Sequence, residues 1–310
     1  MTTATTPETT ESHLSQEEVE ALAHPKPSAR ARFGVIASYV GMGLIVLYCV
    51  IPFYWMVVSS LRLPSEGRST EFIPNPMSIE NYKGVFAGQN NFGRSLINSL
   101  IVSGTTTVLT LLFGIIAAYA LARLAFKGKG AVLWIIMACS MFPLIILIPP
   151  LLKMFSSTTP FEWFPRWIDT YQAVIIPGLS FGLPLAVWNL TAFFKQMPVE
   201  LEQAAMVDGC TPAVAFRKVI LPLAAPGVFT TAIIVFIGAW NEFLLALTFL
   251  QAPEKQTATV AISKFTGTTG FDTPYGTIMA AGVIVTVPLL IAVLLFQRRI
   301  VAGLTAGGVK

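Results

Sequence analysis

Residues 196–227, QMPVELEQAAMVDGCTPAVAFRKVILPLAAPG, separate two long apolar stretches and are too patterned for a plain connector. Pro198 suits the first turn of a helix, Glu200 and Glu202 complement its N-terminal dipole, and Gly209 supplies a left-handed stop. A helix over about 199–208 follows. Thr211 is an N-cap with Pro212 behind it, and a second helix runs through Phe216, Arg217 and Lys218 until Leu221-Pro222 closes it. Ala204 and Ala205 give the first helix a small, smooth surface that another backbone can approach closely. Two short helices across a tight turn make a rigid knob. An amphipathic loop lying on lipid headgroups is the other reading of the same pattern. A DNA-reading helix-turn-helix is disfavoured, because Arg217 and Lys218 are too few cations to position phosphates.

Outward from this segment the chain is strongly apolar: of 310 residues 54% are hydrophobic and 12% charged, with a mean hydropathy of +0.69. Such a composition excludes an ordinary water-soluble enzyme. Six windows are long and apolar enough to cross a bilayer, at about 35–60, 96–122, 131–152, 173–194, 228–250 and 278–297. The expected organisation is a polar tail, 1–32, followed by an all-α, six-helix transmembrane domain, 33–310. The tail is too long and too acidic for a signal peptide and has no small-residue cleavage site after it. With the tail on the cytoplasmic side, twelve Lys and Arg fall inside, with the compact clusters RLAFKGK and QRRI abutting spans, and eight fall outside. The bias predicts both termini, and the 196–227 loop, on the cytoplasmic face of a plasma membrane.

Other chemistries are removed by what the spans lack. Both histidines, His13 and His24, are in the tail, so no His-dependent triad, proton relay or zinc site can form in the body. Cys49, Cys139 and Cys210 lack CxxC spacing and read as buried small residues. No GxxxxGK[ST] phosphate loop occurs, so ATP must be hydrolysed elsewhere if it is the fuel. Cations scattered between apolar stretches do not make a nucleic-acid surface. The sequon at Asn189 lies inside a span.

Two interruptions are candidates for a translocation path. In the fourth span Pro177, Gly178, Gly182 and Pro184 predict a broken or strongly kinked helix, which membranes tolerate only against protein or a water-lined cavity; a simple packing kink is the alternative. In the fifth span Glu242 is an intramembrane acid, about 24 Å from the helix start at 1.5 Å per residue. Beside it stand Trp240 and Asn241, and the acid reads either as a pathway or gate group or as interhelical glue. The segment 251–277 is polar, rich in Thr and Gly, and long for a connector, while 62–94 reads as packing along the membrane surface.

The run AAMVDG at 204–209, followed by Phe216, Ile220, Leu221 and Pro222, resembles the cytoplasmic "EAA" loop of ATP-binding-cassette importer permeases. Gly238-Ala239-Trp240-Asn241-Glu242-Phe243-Leu244 is similar to the carbohydrate-uptake branch, the maltose-type second permease subunit, and 199–233 is similar to subunits of trehalose importers. The resemblance implies a type I importer permease fold. It implies partners too: a second permease, two ATPase subunits that bind ATP and Mg, an external sugar-binding protein, and a disaccharide such as trehalose or maltose as cargo. It further implies that Glu202, Gln203, Ala204, Ala205, Asp208, Gly209, Phe216, Leu221 and Pro222 seat the loop in an ATPase cleft, and that 251–277 contacts the binding protein. The chain departs from the family in having Gln203 where Glu precedes the alanines; Glu202, one position earlier, points about 100° away and cannot simply replace it. The rival, an ion-gradient-driven transporter or channel, lacks intramembrane charge pairs and an obvious repeat.

Overall fold

The computed structural model describes residues 29–67, 69–87, 92–158, 161–265 and 274–306, with side chains only within 33–295. The tail carrying His13, His24 and Lys26, together with Arg68, residues 266–273, Lys310 and the side chains of Arg30, Arg32, Arg298 and Arg299, lies outside that description. Every regular element among the described residues is helical. Two units are distinguished, residues 1–55 and 56–310. In the first, helix α1 (Ala29–Ser60) begins and exposes apolar side chains such as Ile45, Leu47 and Tyr48.

The second unit contains α2 (Glu80–Phe86), α3 (Phe92–Arg123), α4 (Lys129–Ser140), α5 (Leu144–Phe155) and α6 (Gln172–Gln196). These are followed by α7 (Glu200–Val207), α8 (Pro212–Leu223), α9 (Ala225–Trp240), α10 (Leu244–Phe249), α11 (Ala258–Ser263) and α12 (Tyr275–Ala306). Among the described residues four helices, α1, α3, α6 and α12, are each long and apolar enough to span a membrane, and the number rises to six if each of the bent pairs α4–α5 and α8–α9 is one span.

The centre of the unit is the contact of α3 with α6 and α9. Along α3, Ser95, Ser99, Ser103, Thr106, Thr107, Thr110, Gly114 and Ala118 recur every three or four residues and are buried as one stripe. Small residues suit a helix interface in lipid, where contact comes from close packing and not from expelling water. Two of their hydroxyls turn back on the helix, Ser103 donating to the Ser99 carbonyl at 2.6 Å and Thr107 to the Ser103 carbonyl at 2.7 Å, while the Ser99 hydroxyl accepts the Ala258 amide at 2.8 Å. The glycines of the fourth span belong to the same contact. A Cβ at Gly182 would lie 3.0 Å from Thr110 Oγ1, and one at Gly114 3.1 Å from the Ala186 Cβ.

This corrects the expected break at 176–184. α6 is one helix through Pro177 and Pro184, and its glycines serve the approach to α3. The breaks fall elsewhere. The third span is two helices meeting at 83° around Met141, Phe142 and Pro143, where Pro143 lacks an N–H and turns Phe142 away from helical geometry. In the fifth, α9 stops at Trp240, residues 241–243 are non-helical, and α10 starts at Leu244.

One further expectation is revised. Cys49 and Cys139 are exposed and Cys210 is half-buried; a membrane helix gains little by burying a small apolar residue, since lipid is as apolar as a core. The described part of 251–277 is folded onto the body, with Gln256, Thr257, Ala258, Val260 and Ala261 buried. The Asn98 amide donates to the carbonyls of Glu254 and Gln256, both at 2.9 Å, and accepts from Tyr171 at 2.7 Å. The Asp169 carboxylate accepts the Gln251 and Ala252 amides at 2.7 Å each. In the 62–94 segment Arg62 is buried and donates to the carbonyls of Ser69 and Glu71.

Candidate functional site

The 196–227 segment forms an elbow at the end of the helix bundle where α3 and α6 terminate. α7 covers 200–207, and Gly209 takes φ +85°, the left-handed conformation that lets the chain reverse directly after the helix. Thr211 precedes Pro212 in extended geometry at the start of α8. The second arm differs from expectation in detail. It contains a π-turn at Phe216–Ile220, continues past Leu221-Pro222 to Leu223, and bends by 71° into α9.

The nine residues expected to seat this loop divide between two faces. Gln203, Ala204, Asp208, Gly209 and Pro222 are exposed, and Leu221 is half-buried. Beside them Val207 is 87% exposed and Met206 44%, an apolar patch at the end of a short helix whose charges, Glu200 and Glu202, are in its first turn. Ala205 is buried against the bundle, and the half-buried Phe216 lies with its ring 4.4 Å from Tyr119 and 6.5 Å from Phe194. The two alanines therefore do not share one surface, because successive helix residues point about 100° apart. Glu202 faces inward and forms an ion pair with Arg123, Nε to Oε1, at 2.7 Å.

The six pathway candidates are only partly brought together. Gly178, Gly182 and Glu242 line one cavity of about 200 Å³ between α3, α6 and α9, with Thr106, Phe181 and Gly238 among its other walls. Pro177 instead borders a second, aromatic groove with Phe164 and Trp167. Trp240 is 2% exposed and stacks on Phe236 at 5.7 Å, away from the cavity. Asn241 is exposed and its amide returns to the Ile237 carbonyl at 2.8 Å.

Glu242 stands in the gap between α9 and α10, not within a helix. Its partners are backbone amides of its own chain: Oε1 accepts from Leu245 at 2.8 Å and Oε2 from Ala246 at 3.0 Å. The carboxylate thus caps α10. Thr259 donates to the Glu242 carbonyl at 3.1 Å, which ties this gap to α11. Among the described residues no three His, Cys, Asp or Glu side chains come close enough to share a metal ion.

Sequence reasoning missed Arg123, Tyr119 and Thr106. Arg123 stands in the cluster RLAFKGK, which signals topology alone, and its acidic partner is distant in sequence. Thr106 belongs to a hydroxyl stripe whose three-and-four spacing was a readable interface signal.

Residues 110–305, a range that includes the elbow, the α9–α10 gap and most of the cavity wall, match the family model described as "Binding-protein-dependent transport system inner membrane component". The chain belongs to this family. It is 45% identical over 267 residues to the trehalose transport system permease protein SugB of Mycobacterium tuberculosis, covering 86% of this chain and 94% of the relative. It is 38% identical over 276 residues to the trehalose/maltose transport system permease protein MalG of Thermococcus litoralis, covering 89% and 96%. The sulfoquinovosyl glycerol transport system permease protein SmoH of Agrobacterium fabrum is 37% identical over 274 residues, covering 88% and 93%. Among solved structures, a chain from the crystal structure of a bacterial transporter that imports the polysaccharide alginate has the same fold, with a TM-score of 0.72 at 21% identity over 89% of this chain and 99% of that one. The chain is accordingly a multi-pass helical membrane component of an ABC import system.

Proposed function

We propose that the chain is one permease subunit of an ATP-driven importer of a disaccharide such as trehalose or maltose. It forms half of the translocation path with a second permease and receives sugar from an external binding protein. The elbow and both termini face the cytoplasm, where two ATPase subunits bind ATP and Mg. Closure of the ATPase dimer around ATP drags the elbow, and the attached helices α6 and α9 reorient to exchange inward for outward access. The work comes from differential affinity for ATP in the two states.

The observation that carries this reading is the outward face of α7. Ala204, Val207 and Asp208, with Gly209 behind them, form a small-residue, apolar-centred surface on a helix that a solvated loop would make polar. The trehalose names of the relatives support the cargo. The test is to co-express the chain with its neighbouring transport subunits, place a cysteine crosslinker at Val207, and measure which sugar stimulates ATP hydrolysis in proteoliposomes. Crosslinking to an ATPase and stimulation by trehalose or maltose with the binding protein are expected. Sugar uptake by the chain alone in ATP-free vesicles would refute the reading in favour of gradient-driven transport.

A further inference from the structure

Arg123 ends α3, and Glu202 lies in α7. Their 2.7 Å ion pair is largely shielded, with the two side chains 7% and 12% exposed. Arg123 Nη2 also donates to the carbonyl of Met197, in the link from α6 to α7, at 3.1 Å. One turn earlier in α3, Tyr119 donates to Glu202 Oε2 at 3.3 Å, and its ring lies against Phe216 in the other arm. The last turn of α3 therefore grips both arms of the elbow. Covalent connectivity attaches the elbow to α6 and α9 only.

A paired charge at a shielded site resists separation, because parting the partners would leave each in a poorly solvated place. The same helix carries Val102 and Thr106 into the cavity wall. A displacement of the last turn of α3 thus reaches the cavity along one rigid rod.

We infer that Arg123 and Glu202 are positioning residues that clamp the elbow to α3, so that α3 travels with the elbow when the ATPases close. The inference rests on the coupling role proposed above. Neither residue touches cargo or nucleotide; both act through α7 and α3. The clamp also separates two duties among adjacent side chains, with Glu202 turned to the bundle and Gln203 and Ala204 left to face the ATPase.

The test uses the assembled four-subunit complex with its binding protein in proteoliposomes, reading trehalose transported per ATP hydrolysed. The double variant Arg123→Gln/Glu202→Gln strands no charge, so it is expected to co-purify with the ATPases at the level of the unaltered chain. Its transport per ATP is expected to fall about tenfold, within the usual range of coupling between sites. A double variant that assembles and keeps the original ratio overturns the clamp. A second measurement does not depend on that variant: spin labels at Leu124→Cys, directly after α3, and Leu201→Cys, on α7 outside the docking face, with the three native cysteines replaced by serine, report the distance from the end of α3 to α7. That distance is expected to be the same with and without ATP, and a nucleotide-dependent change overturns the clamp. Failure of the ATPases to co-purify with the unaltered chain would remove the coupling role itself, a result distinct from either of these.

Discussion

Replacing Glu242 by alanine separates a capping role from a transport role. The substitution removes the acceptor of the Leu245 and Ala246 amides, which the carboxylate holds at 2.8 and 3.0 Å. A buried donor left without an acceptor costs about 1–3 kcal/mol. Because Glu242 is half-buried and borders a cavity, water can recover part of that loss, and the two amides together cost about 2–3 kcal/mol, toward the lower end of the range. Glu242→Gln keeps one carbonyl acceptor, turns an NH₂ toward the other amide, and loses the charge that favours the first turn of α10, so its cost is about half as large. Thermal or denaturant unfolding of the purified chain in detergent measures both variants, with transport assayed on the same preparations. The expected order of stability is Glu, then Gln, then Ala. If Glu242→Ala stays within about 0.5 kcal/mol of the original chain, the scatter of neutral substitutions, yet abolishes transport, the capping account fails and the acid belongs to the pathway.

Three other outcomes follow from the geometry. Gly209→Val forces a β-branched residue into φ +85°, costs about 1–3 kcal/mol locally, and is expected to reduce ATPase co-purification without changing the amount of chain in the membrane. Gly182→Val drives methyl groups into Thr110 and Val235; overpacking of about 1–3 kcal/mol is expected as a lower melting temperature, whereas Gly104→Ala, with nothing within 4 Å of its new Cβ, should not lower it. Asn98→Leu leaves the Glu254 and Gln256 carbonyls and the Tyr171 hydroxyl without their shared partner, a loss of about 2–4 kcal/mol, and amide hydrogen exchange across 254–258 should accelerate.

The sequence by itself determined the helical, membrane-crossing architecture, because the need to satisfy every backbone group in lipid leaves long apolar windows little choice but to be helices. It determined the elbow as well, since Pro198, Gly209 and the Thr211-Pro212 pair act on the backbone within a few residues of themselves. Which face each elbow residue presents was legible in outline from the 100° helical step but needed a reference direction, and only the packed bundle supplies one. That is why Ala204 and Ala205 read as one surface and lie on two. The tertiary structure alone decided that the glycines of α6 serve close approach to α3, that the third span folds at Pro143, and that Glu242 caps a short helix. It alone paired Arg123 with Glu202. Local pattern fixes where a helix starts and stops, while the partner of a charge, a glycine or a carboxylate is set by whichever distant segment packing brings within a few ångströms.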